Sequence, residues 1–89
     1  MRRAAKVDAN QAAIVDALRA EGASVVHISH KGVPDLLVGH EGVTYLLEVK
    51  NADGRNRLTA DQIEFHKTWR GAGIWIVHTP EQALDIVLD

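Results

Sequence analysis

The segment GVPDLLVGHEGVTYLLEVK, residues 32–50, decides the fold of this chain. It contains two apolar runs, 36–39 and 43–49, and the polar residues between them predict a β-hairpin. If Glu41 and Gly42 form the turn, residue 40 pairs with residue 43. The same register sets Asp35 opposite Glu48, with the two Cβ atoms about 5 Å apart. A slip of one residue would destroy this arrangement, so the turn determines both the sheet and the position of two carboxylates.

Asp35, Glu48 and Lys50 are charged residues in otherwise apolar strands. Glu48 and Lys50 are two residues apart, so a strand places both on one face and Val49 on the other. Two carboxylates at this distance can share a divalent cation, and carboxylates with a backbone carbonyl and water suit Mg²⁺ or Mn²⁺. The pattern therefore predicts phosphodiester hydrolysis, in which Lys50 orients a water or balances charge in the transition state.

A purely structural interpretation of these residues is also open. Asp35 after Pro34 is compatible with a simple turn, and Glu48 with Lys50 is compatible with a solvated stripe on a half-exposed strand. An isolated Glu-Val-Lys favours that interpretation. Pro-Asp before an apolar run, a short hairpin and then Glu-x-Lys at the end of a second run is much more specific, and we favour the metal site.

Helices and strands surround the hairpin. Before the hairpin, apolar spacing predicts helix 8–20, capped by Asp8, and strand 24–30, with Val26 and Ile28 on one face. After the hairpin, a capping box at Thr59 opens helix 60–70, and a short buried strand follows at 74–77. The last helix has Thr79 as its cap and Pro80 as its first residue. Trp69 and Trp75 are expected to be core anchors. The order α, β, β, β, α, β, α predicts a layered α/β domain.

Composition limits the classes of protein to which the chain can belong. Its 89 residues suit one small domain, and 46% hydrophobic with 25% charged residues matches a soluble globular protein. The absence of cysteine excludes disulfides, thiolate metal sites and a thiol nucleophile. The net charge of -2 argues mildly against bulk attraction to nucleic acid. Because no signal peptide or membrane-spanning run is found, an intracellular, cytoplasmic location is expected.

These motifs resemble the PD-(D/E)XK nuclease superfamily. Residues 32–50 together with 58–62 are similar to its small VRR-NUC branch, which phages often encode. The resemblance implies one nuclease domain over residues 1–89, with a restriction-endonuclease-like α-β-β-β-α-β core in which a central mixed sheet is flanked by helices. It also implies that Asp35 and Glu48 bind Mg²⁺ or Mn²⁺, that the Val49 carbonyl assists, and that Lys50 is catalytic.

Stand-alone members of this branch resemble archaeal-type Holliday junction resolvases, which act as homodimers. The resemblance therefore implies an endonuclease for branched or four-way DNA, acting in the host cell if the chain is phage-encoded. In those resolvases a serine on the strand before the Pro-Asp motif contributes, and Ser29 has a similar place. Lys31, Arg55 and Arg57 are expected to contact DNA phosphates, although arginines in a solvated loop would look identical.

Two glutamines complete the predicted site. Many family members carry a glutamate on the first helix that reaches the metal, and Gln11 stands at that position, which predicts a site with one negative charge fewer and weaker metal affinity. Gln11 is equally explained by a near capping box after Asp8. Gln62 is both the third residue after the Thr59 cap and the family's helix glutamine near the catalytic lysine. Because of Gln11 and the short chain, a nuclease-fold DNA-binding module with weak or no turnover is the alternative function.

Overall fold

The computed structural model describes residues 9–51 and 57–89. Within these ranges the elements follow the predicted order α, β, β, β, α, β, α. Their bounds are α1 Ala9–Ala20, β1 Ser24–His27, β2 Leu36–His40, β3 Val43–Val49, α2 Ala60–Thr68, β4 Ile74–Val77 and α3 Pro80–Leu88. The predicted cap Asp8 lies outside the described residues. None of the helices in these ranges has the length and apolar character needed to cross a lipid bilayer.

The four strands form one mixed sheet in the order β1-β2-β3-β4. β2 is antiparallel to both β1 and β3, whereas β3 and β4 are parallel. A parallel pair needs a crossover connection, and the chain between β3 and β4 contains α2. The carboxyl ends of β3 and β4 therefore lie side by side at one end of the sheet.

The hairpin of β2 and β3 turns at Glu41 and Gly42. Their φ angles are 49° and 81°, the combination found in a type I′ turn, whose twist matches that of the flanking strands. Glycine adopts this conformation without strain, and Glu41 is the one non-glycine residue with positive φ in the described part of the chain. His40 pairs with Val43, which confirms the predicted register.

Helices α1 and α3 pack against each other and against one face of the sheet. α1 buries a stripe of Ile14, Val15 and Leu18, which recur at helical spacing. Gly22 follows the last turn of α1 with a φ of 91°, which allows the chain to reverse direction. α3 begins at Pro80 behind the predicted threonine cap.

The buried apolar residues form one cluster on this covered face of the sheet. Strands contribute alternate residues to the cluster, and full burial of a large aliphatic side chain stabilises the fold by about 1.5–3 kcal/mol. The members are Ile14, Val15, Leu18, Ala23, Val25, Leu36, Val38, Leu47, Val49, Val77, Ala83 and Val87. The core therefore lies between the sheet and the α1–α3 pair.

The opposite face of the sheet is less covered. Val26, Leu37 and Ile76 project from it and are 55%, 38% and 42% exposed. α2 packs at this side, yet none of its residues is buried. One face of the sheet is thus closed by helices, and the other is partly open to solvent.

The sequence prediction for β1 is wrong at the end of the strand. The strand ends at His27 instead of residue 30, because the chain then enters a turn in which the Val33 N–H donates to the His30 carbonyl at 3.1 Å. The buried position is Val25, which pairs with the buried Val38. The predicted alternation is present along the strand, and the face that carries Val26 is the exposed one.

The predicted strand 74–77 is confirmed in its bounds, but the predicted burial of the strand and of the two tryptophans is wrong. β4 is an edge strand of the sheet, and Val77 is its one buried residue. Trp75 is 46% exposed and Trp69 is 41% exposed. α2 ends at Thr68, two residues earlier than predicted, so Trp69 lies just after the helix. Its indole N–H donates to the Ala72 carbonyl at 2.7 Å.

Candidate active site

The hairpin brings Asp35 and Glu48 together at the end of the sheet. Leu36 pairs with Leu47 at the last rung of β2 and β3, and one further step sets Asp35 opposite Glu48. The Val49 N–H donates to Asp35 Oδ2 at 2.8 Å, so the aspartate carboxylate takes the place of a strand carbonyl. The side chain of Asp35 is thereby attached to the backbone of β3.

Glu48 is a buried carboxylate with one unpaired oxygen. The residue is 1% exposed. Its Oε2 accepts from Gln62 Nε2 at 2.9 Å and lies 3.7 Å from Lys50 Nζ. When the carboxyl group is ionised, its Oε1 is buried without a hydrogen-bond partner. Because a buried polar atom without a partner costs about 1–3 kcal/mol and more for a charged group, this oxygen marks a place where a ligand would compensate.

The pKa of Glu48 is raised from its ordinary value of 4.5 to about 8. Burial is the largest cause, followed by the negative charge of Asp35 and by the hydrogen bond that the protonated form of Glu48 makes with Asp35, while Lys50 lowers the pKa. At neutral pH Glu48 therefore retains a proton that a divalent cation would displace.

Lys50 reaches the same site from the end of β3. Its side chain is 9% exposed, and its backbone N–H donates to the Val77 carbonyl at 3.0 Å. Its ammonium donates to Gln62 Oε1 at 3.0 Å and to the Arg57 carbonyl at 3.4 Å. Main chain and side chain are thus both held in place. The ammonium favours the ionised form of Glu48, but burial and Asp35 have the larger effect, so the pKa of Glu48 stays raised.

Gln62 links the carboxylate to the ammonium and also starts α2. Its Nε2 donates to Glu48 and its Oε1 accepts from Lys50, which is the required orientation because a carboxylate only accepts and an ammonium only donates. Oε1 also accepts from the Thr59 N–H at 2.8 Å, and Thr59 Oγ1 accepts from the Gln62 N–H at 3.2 Å. The predicted capping box and the predicted contact with the lysine are both present.

The loop 28–35 packs on the first turn of α2. Gly32 has a φ of 82°, and a Cβ atom at this position would lie 2.9 Å from the Asp61 carbonyl oxygen. Glycine is therefore required here by both conformation and space. On the surface, Lys31 Nζ lies 3.3 Å from Asp61 Oδ2. Because Gln62 follows Asp61, this close approach helps to hold the glutamine in the site.

The structure does not place Gln11 beside the carboxylates. Its Oε1 pairs with Nδ1 of His27 at 3.2 Å, so the side chain does turn toward the sheet, at the end of β1. Glu48 projects from the opposite face, because its neighbours Leu47 and Val49 lie in the core. The resemblance implies a Gln11 near the metal, but the amide contacts a histidine on the covered side instead.

The residues predicted to contact DNA lie near the site or outside the described ranges. Ser29 is exposed and lies in the connection after β1, not on the strand. The Lys31 side chain is 86% exposed. Arg57 is exposed, and its carbonyl accepts from Lys50. Arg55 lies outside the described residues.

Asn10 makes a contact at this end of the sheet that the sequence analysis missed. Its Nδ2 donates to the carbonyls of Lys50 at 2.6 Å and His78 at 2.9 Å. Asn10 lies four residues before Ile14 and eight before Leu18, both of which are fully buried. A polar residue at helical spacing from two core residues is the signal that could have identified it.

The donor set at the site fits a hard divalent cation. Asp35 and Glu48 supply carboxylate oxygens, and the Val49 carbonyl faces the side of Asp35 because the N–H and C=O of one strand residue point the same way. The orphaned Glu48 Oε1 is the observation that favours a cation here. Residues 9–51 and 57–89 contain no cluster of three or more His, Cys, Asp or Glu side chains that could hold a metal. Mg²⁺ often uses one or two carboxylates and keeps several waters, so the smaller set is sufficient.

Comparisons of the chain with protein-family models, with curated proteins and with solved structures found no match. The chemistry of the site, together with the motifs in the sequence, therefore carries the functional conclusion.

Proposed function

We propose that this chain is a metal-dependent nuclease that hydrolyses phosphodiester bonds in DNA. The observation that carries the proposal is the buried Glu48 carboxylate, with one unpaired oxygen, opposite Asp35 and beside the Lys50 ammonium. A strongly perturbed carboxyl group next to a second carboxyl and a cation is typical of a functional site. It is also difficult to explain by stability, because such an arrangement opposes folding.

The residues of the site have separate roles in this proposal. Asp35, Glu48 and the Val49 carbonyl would hold Mg²⁺ or Mn²⁺, which supplies Lewis-acid activation of the phosphoryl group and a bound water of lowered pKa. The Lys50 ammonium stabilises the negative charge that develops on the phosphoryl oxygens, or orients the attacking water. Gln62 holds the carboxylate and the ammonium at a fixed spacing, so that Lys50 remains available to the substrate.

The proposal extends to the fold family and to the class of DNA. The element order and the mixed sheet support a restriction-endonuclease-like core. The resemblance to the VRR-NUC branch favours branched DNA, with four-way junctions as the first substrate to test. Ser29, Lys31, Arg55 and Arg57 are the phosphate contacts in this proposal, because they flank the catalytic motif in the sequence.

A homodimer in the cytoplasm is part of the same proposal. Two strands of a junction are cut symmetrically when two active sites are related by a two-fold axis. The exposed side chains of Val26, Leu37 and Ile76, on the face of the sheet that carries Glu48, support self-association. The cytoplasmic location is the expectation from the sequence, and a host cell, if the chain is phage-encoded, is what the resemblance implies.

Junction cleavage tests the proposal directly. The wild-type chain should cut a labelled four-way junction with Mg²⁺ or Mn²⁺ and not with a chelator. Asp35→Asn should reduce the rate by about 10³-fold because it removes a ligand charge. Asp85→Asn on α3, an exposed aspartate, is the matched control and should cleave like the wild type. Equal cleavage by Asp35→Asn and the wild type would exclude the proposed site.

A DNA-binding module with the same fold and little turnover is the second candidate function. It is favoured by the neutral Gln11, which pairs with His27, and by the lack of a third metal-binding side chain among the described residues. This candidate predicts that the chain binds junctions but yields no product with either metal. A single-turnover assay, with protein in excess over DNA, separates the two functions.

A further inference from the structure

The side-chain amide of Asn10 joins the ends of two strands. Its Nδ2 donates to the carbonyl of Lys50 at 2.6 Å and to that of His78 at 2.9 Å. Lys50 directly follows β3, and His78 directly follows β4. The two strands are still connected at this level by the Lys50 N–H, which donates to the Val77 carbonyl at 3.0 Å. One NH₂ group of α1 thus binds both parallel strands at the point where their ladder stops.

The chemistry of this contact requires an amide. Carbonyls at strand ends lose their ladder partners and need another donor when water is excluded. Asparagine carries two N–H donors on one nitrogen, and Asn10 uses both. Aspartate has the same size but only accepts when ionised, although the first turn of a helix favours its negative charge. Helix formation therefore does not explain an asparagine at this position, whereas the two carbonyls do.

We propose that Asn10 is a positioning residue for Lys50. Lys50 is the residue at which the chain leaves the sheet, and its ammonium reaches Gln62 and the Arg57 carbonyl. Val77 holds the N–H side of the residue, and Asn10 holds its carbonyl side. Without the amide, the Lys50 carbonyl loses this donor, and a shift of the main chain at the end of β3 moves the base of the lysine side chain. The kinetic part of this inference rests on the proposed nuclease function.

Each carboxylate of the site has a hydrogen bond that does not involve Asn10 or Lys50. Asp35 is bound by the Val49 N–H, and Glu48 is bound by the Gln62 amide. Loss of the Asn10 amide should therefore affect the placement of the ammonium and not the pair of carboxylates. This separation predicts a loss of turnover without a change in the metal requirement.

The experiment compares Asn10→Asp and Asn10→Ala with Val87→Ala. Val87 is 2% exposed on α3, so its truncation loosens the core without removing a contact of the site. Turnover, DNA affinity and the metal concentration for half-maximal activity are measured at a temperature at which circular dichroism shows each variant to be folded. Both Asn10 variants should lose about 10- to 100-fold in kcat with unchanged DNA affinity and metal midpoint. Val87→Ala should keep the wild-type kcat and lose only thermal stability.

A second readout does not require catalysis. The carbonyl ¹³C resonances of Lys50 and His78 and the side-chain ¹⁵N resonance of Lys50 report the hydrogen bonds around this residue. All three should move in both Asn10 variants and stay in place in Val87→Ala.

Unchanged Lys50 resonances, or a wild-type kcat in Asn10→Asp, would overturn the positioning role. If the wild-type chain cleaves no DNA, the nuclease proposal fails, and the Lys50 resonances alone decide whether Asn10 holds this residue. If Asn10→Asp does not fold, Asn10→Ala removes the same donors without adding a charge and gives the same comparison.

Discussion

Leu47 and Glu48 are consecutive residues of β3, equally buried, on opposite faces of the sheet. Leu47 is 0% exposed in the apolar cluster beneath α1 and α3, and Glu48 is 1% exposed beside a second carboxyl, an ammonium and an amide. The same depth of burial stabilises the fold when the side chain is a hydrocarbon, and opposes folding when it is a carboxylate with an unpaired oxygen. Stability and chemistry are thus divided between the two faces of one sheet.

The helices differ in the same way. α1 and α3 bury aliphatic side chains, including Leu18 and Val87, against the sheet and each other. α2 buries none, and its first turn is attached through Gln62 and through the close approach of Gly32. We infer that α2 depends on the polar contacts of the site to a degree that α1 and α3 do not.

The largest effect is expected on activity when the charge of Glu48 is removed. Glu48→Gln should lower junction cleavage by about 10³-fold, equivalent to about 4 kcal/mol of transition-state stabilisation. The midpoint of thermal unfolding without metal should stay the same or rise, because glutamine cannot ionise in this buried site and its side-chain oxygen can still accept from Gln62. Cleavage rates and calorimetry of the same preparation measure both quantities.

The control for this variant is Glu64→Gln, at an exposed glutamate of α2. It should change neither the cleavage rate nor the unfolding temperature. A large drop in unfolding temperature for Glu48→Gln would show that Glu48 stabilises the fold, and the division between the two faces would then be wrong.

The second effect is on stability, on the covered face. Leu47→Ala should lower the free energy of unfolding by about 3 kcal/mol, because it leaves a cavity in the apolar cluster. Urea denaturation measures this value. Leu37→Ala on the open face of the same hairpin is the matched control, and since Leu37 is 38% exposed it should cost clearly less. Equal losses for both variants would contradict the asymmetry of the sheet.

The third effect is a dependence of stability on pH without metal. The pKa of Glu48 is about 8 in the folded protein and ordinary in the unfolded chain, so the folded state binds more protons between pH 4.5 and 8. Stability is therefore highest at the acid end of this window and falls as the pH rises through 8. The fall should be a few kcal/mol, since a tenfold change in proton affinity corresponds to about 1.4 kcal/mol.

Urea denaturation from pH 5 to pH 9 measures this dependence. Glu48→Gln should remove most of the slope, whereas Glu64→Gln should retain it. Stability that rises across this range in the wild type would show that Glu48 is not held in its protonated form.

The smallest effect concerns two neighbouring valines on opposite faces. Val26→Thr should change the free energy of unfolding by no more than about 0.5 kcal/mol, because the side chain is 55% exposed. Val25→Thr should be more costly, because it places a hydroxyl in the apolar cluster next to Val38. Denaturation midpoints of the two variants measure both losses of stability. A larger loss for Val26→Thr than for Val25→Thr would contradict the assignment of the two faces.

Local rules explain why the hairpin could be predicted from the sequence. Glu41 and Gly42 determine the turn, the turn determines the register, and the period of two then places Asp35 opposite Glu48. Thr59 and Gln62 are likewise a local pair, and the predicted capping box is present. Contacts within a few residues of chain, or across one short turn, need no knowledge of the rest of the fold.

Long-range packing explains what the sequence did not reveal. Trp75 belongs to an apolar run, but its exposure depends on β4 lying at the edge of the sheet. Asn10 and Gln11 are adjacent polar residues of α1, and the docking of the helix decides that Asn10 reaches the strand ends while Gln11 meets His27. A helix rotated by a fraction of a turn would exchange these partners without any change in the apolar spacing.

The neighbours of Gln62 restrict which amino acid can occupy its position. A helix start of this kind accepts glutamate as readily as glutamine, since either side chain can receive the Thr59 N–H. Next to Glu48, however, glutamate would add a third carboxylate and remove the N–H that Glu48 accepts. The capping rule therefore permits glutamine or glutamate at this position, and the neighbouring Glu48 carboxylate excludes glutamate. A designer who optimised α2 as an isolated helix could select glutamate and, by that single atom exchange, disable the site.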